Sequence, residues 1–211
     1  MTAKLSTALI LAGGLSRRMG QDKTQVELAG KPLIRHVIER LSPQLDILII
    51  SAPGPHPAAA ELIHCVDTRP GHLGPLAGIL SGLLHLQEMD DSTTHLLVSP
   101  ADTPFLPQDL AKCLLEHASP ETVVIATSCG RSHPLASLWP LSLATDLDRW
   151  LDKPDNRRVQ DYIHRHRHVA VPFEQIRIGS ETIDPFFNIN RPEDLAIAEH
   201  CIKRAESASI R

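Results

Sequence analysis

Strand-like and helix-like segments alternate along most of this chain, and that alternation constrains the fold more than any other feature. Residues 7–11 form a short apolar run ending at Gly13 and Gly14, the pattern of a strand buried on both faces. Residues 31–41 read as a helix, with Pro32 in the first turn and Leu33, Ile34, Val37, Ile38 and Leu41 at helical spacing. Strands are expected at 45–50, 63–66, 96–99 and 122–127, and helices at 76–86 and 110–117, with a turn-rich stretch over 53–57. The second half is less regular. It predicts strands at 135–139, 169–171 and 186–189, and helices at 141–151, 157–166 and 192–203, the last with an acidic first turn of Glu193 and Asp194. Such alternation predicts one α/β domain over residues 1–204 on a mainly parallel sheet with right-handed crossovers, and residues 205–211 as a tail.

Composition closes off several functions. The 211 residues carry 21 Lys and Arg against 25 Asp and Glu, a formal net charge of -4, whereas a duplex-coating protein would be basic. Aromatic residues make up only 3%, too few for a stacking platform for single strands, so no nucleic-acid partner is expected. No stretch approaches the ~20 apolar residues of a membrane span. The run after Lys4 superficially resembles a signal peptide, but Ser6 and Thr7 interrupt it, and Arg17 and Arg18 follow it rather than precede it. Cys65, Cys113, Cys129 and Cys201 match no zinc or redox spacing and read as reduced thiols in a cytoplasm.

In a parallel sheet, ligands bind beyond the carboxyl ends of the strands, so three loops carry the chemical interest. The first, from Leu11, Ala12 and Gly13 to Lys23, joins glycines to three cations, Arg17, Arg18 and Lys23. Glycines let backbone N–H groups approach a phosphate closely, and the cations would neutralise a polyphosphate. The spacing is neither a Walker A nor a GxGxxG loop. The second loop, from Asp67 to Gly78, leads into a helix whose first N–H groups suit an anion or a base edge, while Asp67 suits a ring N–H and amino group or a ribose hydroxyl; a turn with a helix cap fits the same residues. The third, Ser99-Pro100-Ala101-Asp102-Thr103-Pro104, sets a carboxylate past a buried strand, where it suits Mg²⁺ bridging nucleotide phosphates; a turn residue has the same pattern.

The stretch LAGGLSRRMGQDK, followed by GPLAG, PADTP and FNINRPEDL, resembles the signature of the molybdenum cofactor guanylyltransferase family of nucleotidyltransferases, in the same order and spacing from Leu9 to about Glu199. The resemblance implies a three-layer Rossmann-like fold with the nucleotide on the N-terminal half and the pterin on the C-terminal half. It implies that the terminal phosphate of molybdenum-bearing molybdopterin attacks the α-phosphorus of GTP, with pyrophosphate leaving. It sets Leu11, Ala12 and Gly13 along the nucleotide, Lys23 on the phosphates, Asp67 in the nucleoside pocket, and Asp102 on Mg²⁺ or Mn²⁺. Asn188 or Asn190 is implied as a second metal partner, and Arg131, His133, Arg157 and Arg158 face the pterin as cationic groups. Transient contacts with molybdenum-insertion and acceptor enzymes are implied as well. Ser51 stands where the family often has an asparagine that contacts the nucleotide, and its shorter reach puts that contact in question.

Two features fall outside this pattern. His164, His166 and His168 alternate as metal ligands on a strand would, but a basic surface or helix end is the preferred reading. Cys65, close to Asp67, reads as a buried structural thiol. The competing functions are cytidylyl transfer to the same pterin, nucleotidyl transfer to a sugar phosphate, and a noncatalytic nucleotide sensor. Lys23 and Asp102 count against the sensor, and LAGG with GPLAG favours guanylyl over cytidylyl transfer.

Overall fold

The computed structural model describes residues 5–13, 26–69, 74–89 and 93–209. In chain order the elements are β1 (Thr7–Leu11), a hairpin of β2 (Glu27–Leu28) and β3 (Lys31–Pro32), α1 (Leu33–Leu41), β4 (Ile47–Ser51), β5 (Ile63–Cys65), α2 (Pro75–Glu88), β6 (His95–Pro100) and α3 (Leu110–Leu115). They continue with β7 (Thr122–Ser128), β8 (Arg131–Pro140), α4 (Ala144–Trp150), α5 (Val159–Ile163), β9 (Arg167–Pro172), a second hairpin of β10 (Ile176–Ile178) and β11 (Glu181–Ile183), and α6 (Pro192–Ser209).

Seven strands form one sheet in the order β5-β4-β1-β6-β8-β7-β9. β5, β4, β1 and β6 run parallel, β8 runs antiparallel to both of its neighbours, and β9 is parallel to β7. The expected mainly parallel sheet is therefore present, with β8 as its reversed member. The chain winds outward from β1 in both directions, to β4 on one side and β6 on the other. That reversal opens a crevice at the carboxyl ends of β1 and β6, where such sheets bind ligands.

Alternation along each strand builds two cores. Ala8 and Ile10 of β1, Leu48 and Ile50 of β4, Leu97 of β6, and Val124 and Ala126 of β7 pack with α1 and α3. Leu9, Ile49, Leu96, Val98, Val123 and Ile125 point to the opposite face, under α2, α4 and α5. Both faces are covered by helices, and this is why the strands read as continuous apolar runs. A third, smaller core gathers Val26, Leu28, Ile178, Ile183, Ala198 and Cys201 from the two hairpins and α6.

The structure corrects several expectations. Pro32 precedes the first helical turn of α1 and belongs to a two-residue strand, because its ψ of 141° is extended. The helix expected over 141–151 begins as a 3₁₀ turn, Leu141–Leu143. Residues 186–189 are not a strand, since their N–H groups are taken elsewhere. Phe186 donates to Asp184 Oδ1 at 2.9 Å, Phe187 to the Asp184 carbonyl at 3.0 Å and Ile189 to the Asp102 carbonyl at 3.1 Å. The tail expected from residue 205 is not one, as α6 continues through Ser209.

Candidate active site

The sheet brings the loop after β1 between the ends of its two neighbours. Ala12 N–H donates to the Ser51 carbonyl at the end of β4 (2.8 Å), and Ala101 N–H, past β6, donates to the Leu11 carbonyl (3.2 Å). Leu11, Ala12 and Gly13 thus lie along the crevice between Ser51 and Asp102. Lys23, with Arg17 and Arg18, lies outside the described residues, as do residues 70–73 of the second loop.

Helix α2 descends onto this edge. Gly74 caps it with φ at +76°, a left-handed conformation that favours glycine, and Pro75 opens its first turn. Gly78, one turn in, is packed so closely that a Cβ there would stand 2.7 Å from Ser51 Oγ and 2.8 Å from Leu11 Cδ2. The start of the helix can reach the strand ends because this residue has no side chain.

Ser51 is 4% exposed and sits beneath Gly78. Its Oγ donates to Asp67 Oδ1 at 3.4 Å, a long contact, while Asp67 itself is exposed just past β5. Ser51 therefore supports the Asp67 carboxylate from below. The following residues are pinned from two further sides. Thr68 N–H donates to Ser81 Oγ on α2 (2.9 Å), and Arg69 donates to Asp148 Oδ1 through Nε (2.8 Å) and to Asp152 Oδ1 through Nη1 (2.9 Å). Sequence reasoning missed Ser81 and Arg69, because their partners are 13 or more residues distant and leave no spacing signal. Burial, with the Asp67 and Glu88 carboxylates nearby, pushes the Cys65 thiol up to about 11, so it stays protonated at neutral pH and suits the structural role expected of it.

Asp102 follows β6 with its Oδ1 buried. Ile189 N–H, held on the Asp102 carbonyl, brings the two exposed residues flanking it, Asn188 and Asn190, to the same edge. One carboxylate beside amide oxygens is an all-oxygen donor set, which suits a hard divalent cation that completes its shell with phosphate oxygens and water. Among the described residues there is no cluster of three or more His, Cys, Asp or Glu side chains able to hold a metal by themselves.

The residues assigned to the pterin divide into two groups. Arg131 and His133 lie at the start of β8, at the same edge of the sheet, because β7 runs in the direction of β1 and β6. Arg131 is exposed. At His133 burial holds the imidazole below the ordinary 6.5, assisted by Arg131 and opposed by Asp184, which favours the neutral ring over the expected cation. Arg157 and Arg158 lead into α5, and the Arg157 carbonyl passes beside Gly74 at the start of α2. Arg157 Nη1 donates to the carbonyls of Leu151, Lys153 and Asn156, whereas Arg158 is exposed. The histidine run stands apart. His166 Nε2 lies 3.2 Å from Asp146 Oδ2, His164 ends α5, and His168 meets the His166 carbonyl at 3.1 Å, an arrangement of surface and helix-end contacts.

Comparison with known proteins agrees with this arrangement. Residues 8–169 match the model of the MobA-like NTP transferase domain. The chain is 43% identical over 200 residues to a molybdenum cofactor guanylyltransferase from Rhizobium meliloti (strain 1021), covering 93% of this chain and 92% of that protein. It is 40% identical to another from Sinorhizobium fredii (strain NBRC 101917 / NGR234), covering 96% and 94%. Among solved structures, molybdopterin-guanine dinucleotide biosynthesis protein A from Archaeoglobus fulgidus superposes with a TM-score of 0.75 at 28% identity, over 94% of this chain and 99% of that one. The strand order, the crevice and these likenesses agree: the chain belongs to the MobA-like NTP transferases and, within them, to the molybdenum cofactor guanylyltransferases.

Proposed function

We propose that the chain transfers GMP from GTP to the terminal phosphate of molybdenum-bearing molybdopterin, forming the guanine dinucleotide cofactor and pyrophosphate. The observation that carries this reading is the convergence of the β1 loop, Asp67 and Asp102 on one crevice at the reversal of strand order. The pterin phosphate oxygen forms a bond to the α-phosphorus of GTP, and the bond to the bridging oxygen of pyrophosphate breaks. Such a transfer needs alignment and charge neutralisation more than covalent catalysis. Leu11, Ala12 and Gly13 line the nucleotide, the Ala12 N–H being held by the Ser51 carbonyl, and Lys23 neutralises its phosphates. Asp67, held by Ser51, accepts the ring N–H and amino group of guanine. Asp102, with Asn188 or Asn190, holds Mg²⁺ or Mn²⁺, which when bound spreads the charge of the phosphates. Arg131, Arg157 and Arg158 steer the anionic pterin, and His133 meets it as a neutral imidazole.

The setting is a reducing cytoplasm, which the four free cysteines suit. Among the described residues no helix is long and apolar enough to cross a membrane. Transient docking to molybdenum-insertion and acceptor enzymes would deliver the pterin and remove the product.

The test is a mass measurement on the pterin after incubation with GTP and Mg²⁺. The expected product has gained one GMP residue with one pyrophosphate released per turnover. GMP released as free nucleotide while the pterin stays unmodified would overturn the proposal.

A further inference from the structure

The β7–β8 hairpin carries a hydrogen-bonded trio that the reaction above leaves unexplained. Ser128 Oγ donates to Asp184 Oδ1 at 2.5 Å and lies 2.7 Å from His133 Nε2. The same Oδ1 accepts the Phe186 N–H, so it acts as the acceptor in this network. A serine hydroxyl has a single proton, and here Asp184 receives it. The 2.7 Å contact is then satisfied only if His133 Nε2 carries a proton and donates it to Ser128 Oγ. His133 is thereby fixed as the Nε2–H tautomer, and its Nδ1 keeps a lone pair. The ring is stacked on Phe186 at 4.6 Å, which restrains its plane.

The order of the trio excludes a nucleophilic serine. In such a triad the histidine stands between serine and carboxylate and takes the serine proton. Here the serine stands in the middle and its proton is held by Asp184, so no base is aimed at Oγ.

Ser128 ends β7 and His133 lies near the start of β8, at the carboxyl edge that carries the crevice. The segment that holds the trio, beginning at Asp184, continues through Phe186 to Ile189, whose N–H is bonded to Asp102. One short stretch of backbone therefore links His133 to the candidate transfer site.

We propose that Ser128 and Asp184 are positioning residues that hold His133 with Nδ1 as a hydrogen-bond acceptor for an N–H group of the pterin. This rests on the guanylyl-transfer reading and adds a rule for acceptor recognition: a donor edge of the heterocycle is read by a neutral imidazole. The lowered affinity of His133 for a proton agrees with it, since a protonated ring would present N–H groups on both sides and no lone pair.

The experiment has two arms. In the first, ¹⁵N NMR of the full chain with labelled histidine reads the tautomer directly, without substrate. The expected spectrum at neutral pH shows His133 protonated at Nε2, and in Ser128→Ala a mixture of tautomers. Protonation at Nδ1 in the unmodified protein would overturn the proposal whatever the enzyme's substrate. In the second arm, steady-state turnover is measured with molybdenum-loaded molybdopterin and GTP varied separately. Ser128→Ala should raise KM for the pterin about tenfold and leave KM for GTP within about twofold, the size of effect expected from one misplaced hydrogen bond. Ser128→Thr, which keeps the hydroxyl, should restore the pterin KM. Equal changes in both KM values, or no change in the pterin KM of folded Ser128→Ala, would overturn it. If GTP binds but no nucleotide is transferred to the pterin even by unmodified protein, the guanylyl-transfer reading fails and the tautomer arm still decides the trio.

Discussion

Replacing Gly78 with Ala tests the coupling between helix packing and the proposed nucleotide pocket, and Gly82→Ala is its control. Both glycines lie in α2, four residues apart, and face β1. An alanine gains about 0.8–1.0 kcal/mol of helix propensity at either position. At Gly82 the new Cβ would stand 2.8 Å from Leu9 Cδ2 and 2.9 Å from Leu96 Cδ2, both wholly buried. At Gly78 it would stand 2.7 Å from Ser51 Oγ and 2.8 Å from Leu11 Cδ2. Overpacking of this kind costs about 1–3 kcal/mol, so each variant should lose roughly 0–2 kcal/mol net. For a domain of this size that lowers Tm by up to about 8 °C. Only Gly78→Ala also displaces Ser51 from beneath Asp67. The Ser51–Asp67 contact is long, so its loss is worth about 1 kcal/mol, and GTP should bind roughly three- to tenfold more weakly. Thermal unfolding and calorimetric titration with GTP measure the two effects separately. Unchanged GTP affinity in folded Gly78→Ala, or equal weakening in Gly82→Ala, would refute the reasoning.

Three further outcomes follow from the same structure. Asp102→Asn keeps the shape and removes the charge, and should reduce turnover by about 10²-fold or more, roughly 3 kcal/mol, and weaken the Mg²⁺ requirement; normal turnover with an unchanged requirement would make Asp102 a turn residue. Arg69→Ala removes partly exposed ion pairs to Asp148 and Asp152, so stability should fall by no more than about 1 kcal/mol, while GTP affinity falls because the Asp67 loop loses an anchor; a large drop in Tm with normal GTP binding would count against this. Burial holds His95 below its ordinary 6.5, so the unfolded chain takes up a proton there that the folded chain resists. The contribution is fully present above about pH 6.5 and is lost as pH falls toward the lower folded value. The urea midpoint should therefore drop more between pH 7.5 and 5.5 in the unmodified protein than in His95→Gln, and equal drops would contradict the assignment.

What the sequence made legible follows from burial. β1, β4, β6 and β7 are covered on both faces, so each was a continuous apolar run with little ambiguity. The hairpins β2–β3 and β10–β11 have strands of two or three residues, too short for a period to emerge. Phe186 and Ile189 looked like strand residues because they are apolar, yet they pack in different cores, and their N–H groups go to the Asp184 side chain and to the distant Asp102 carbonyl rather than to a strand ladder. At the candidate site, the loop glycines, Asp67 and Asp102 could be singled out because they follow strand ends and are residue types that suit phosphate and metal chemistry there. Ser128 and Asp184 were not. They lie 56 positions apart, and only the folded sheet reveals that Ser128 bridges His133 and Asp184. His133 was grouped with the cations because sequence alone does not show that its half-buried ring favours the neutral form.

The measurement that bears most directly on guanylyl transfer is pyrophosphate release from GTP and from CTP, under the same conditions, with molybdenum-loaded molybdopterin as acceptor. In the proposed reading, Asp67 and the start of α2 accept a base that offers a ring N–H and an amino group. Cytosine leaves part of that site unpaired, at a cost of about 1–3 kcal/mol. GTP should therefore be used roughly ten- to hundredfold better than CTP. Equal or better use of CTP would contradict the guanylyl assignment while leaving the fold intact.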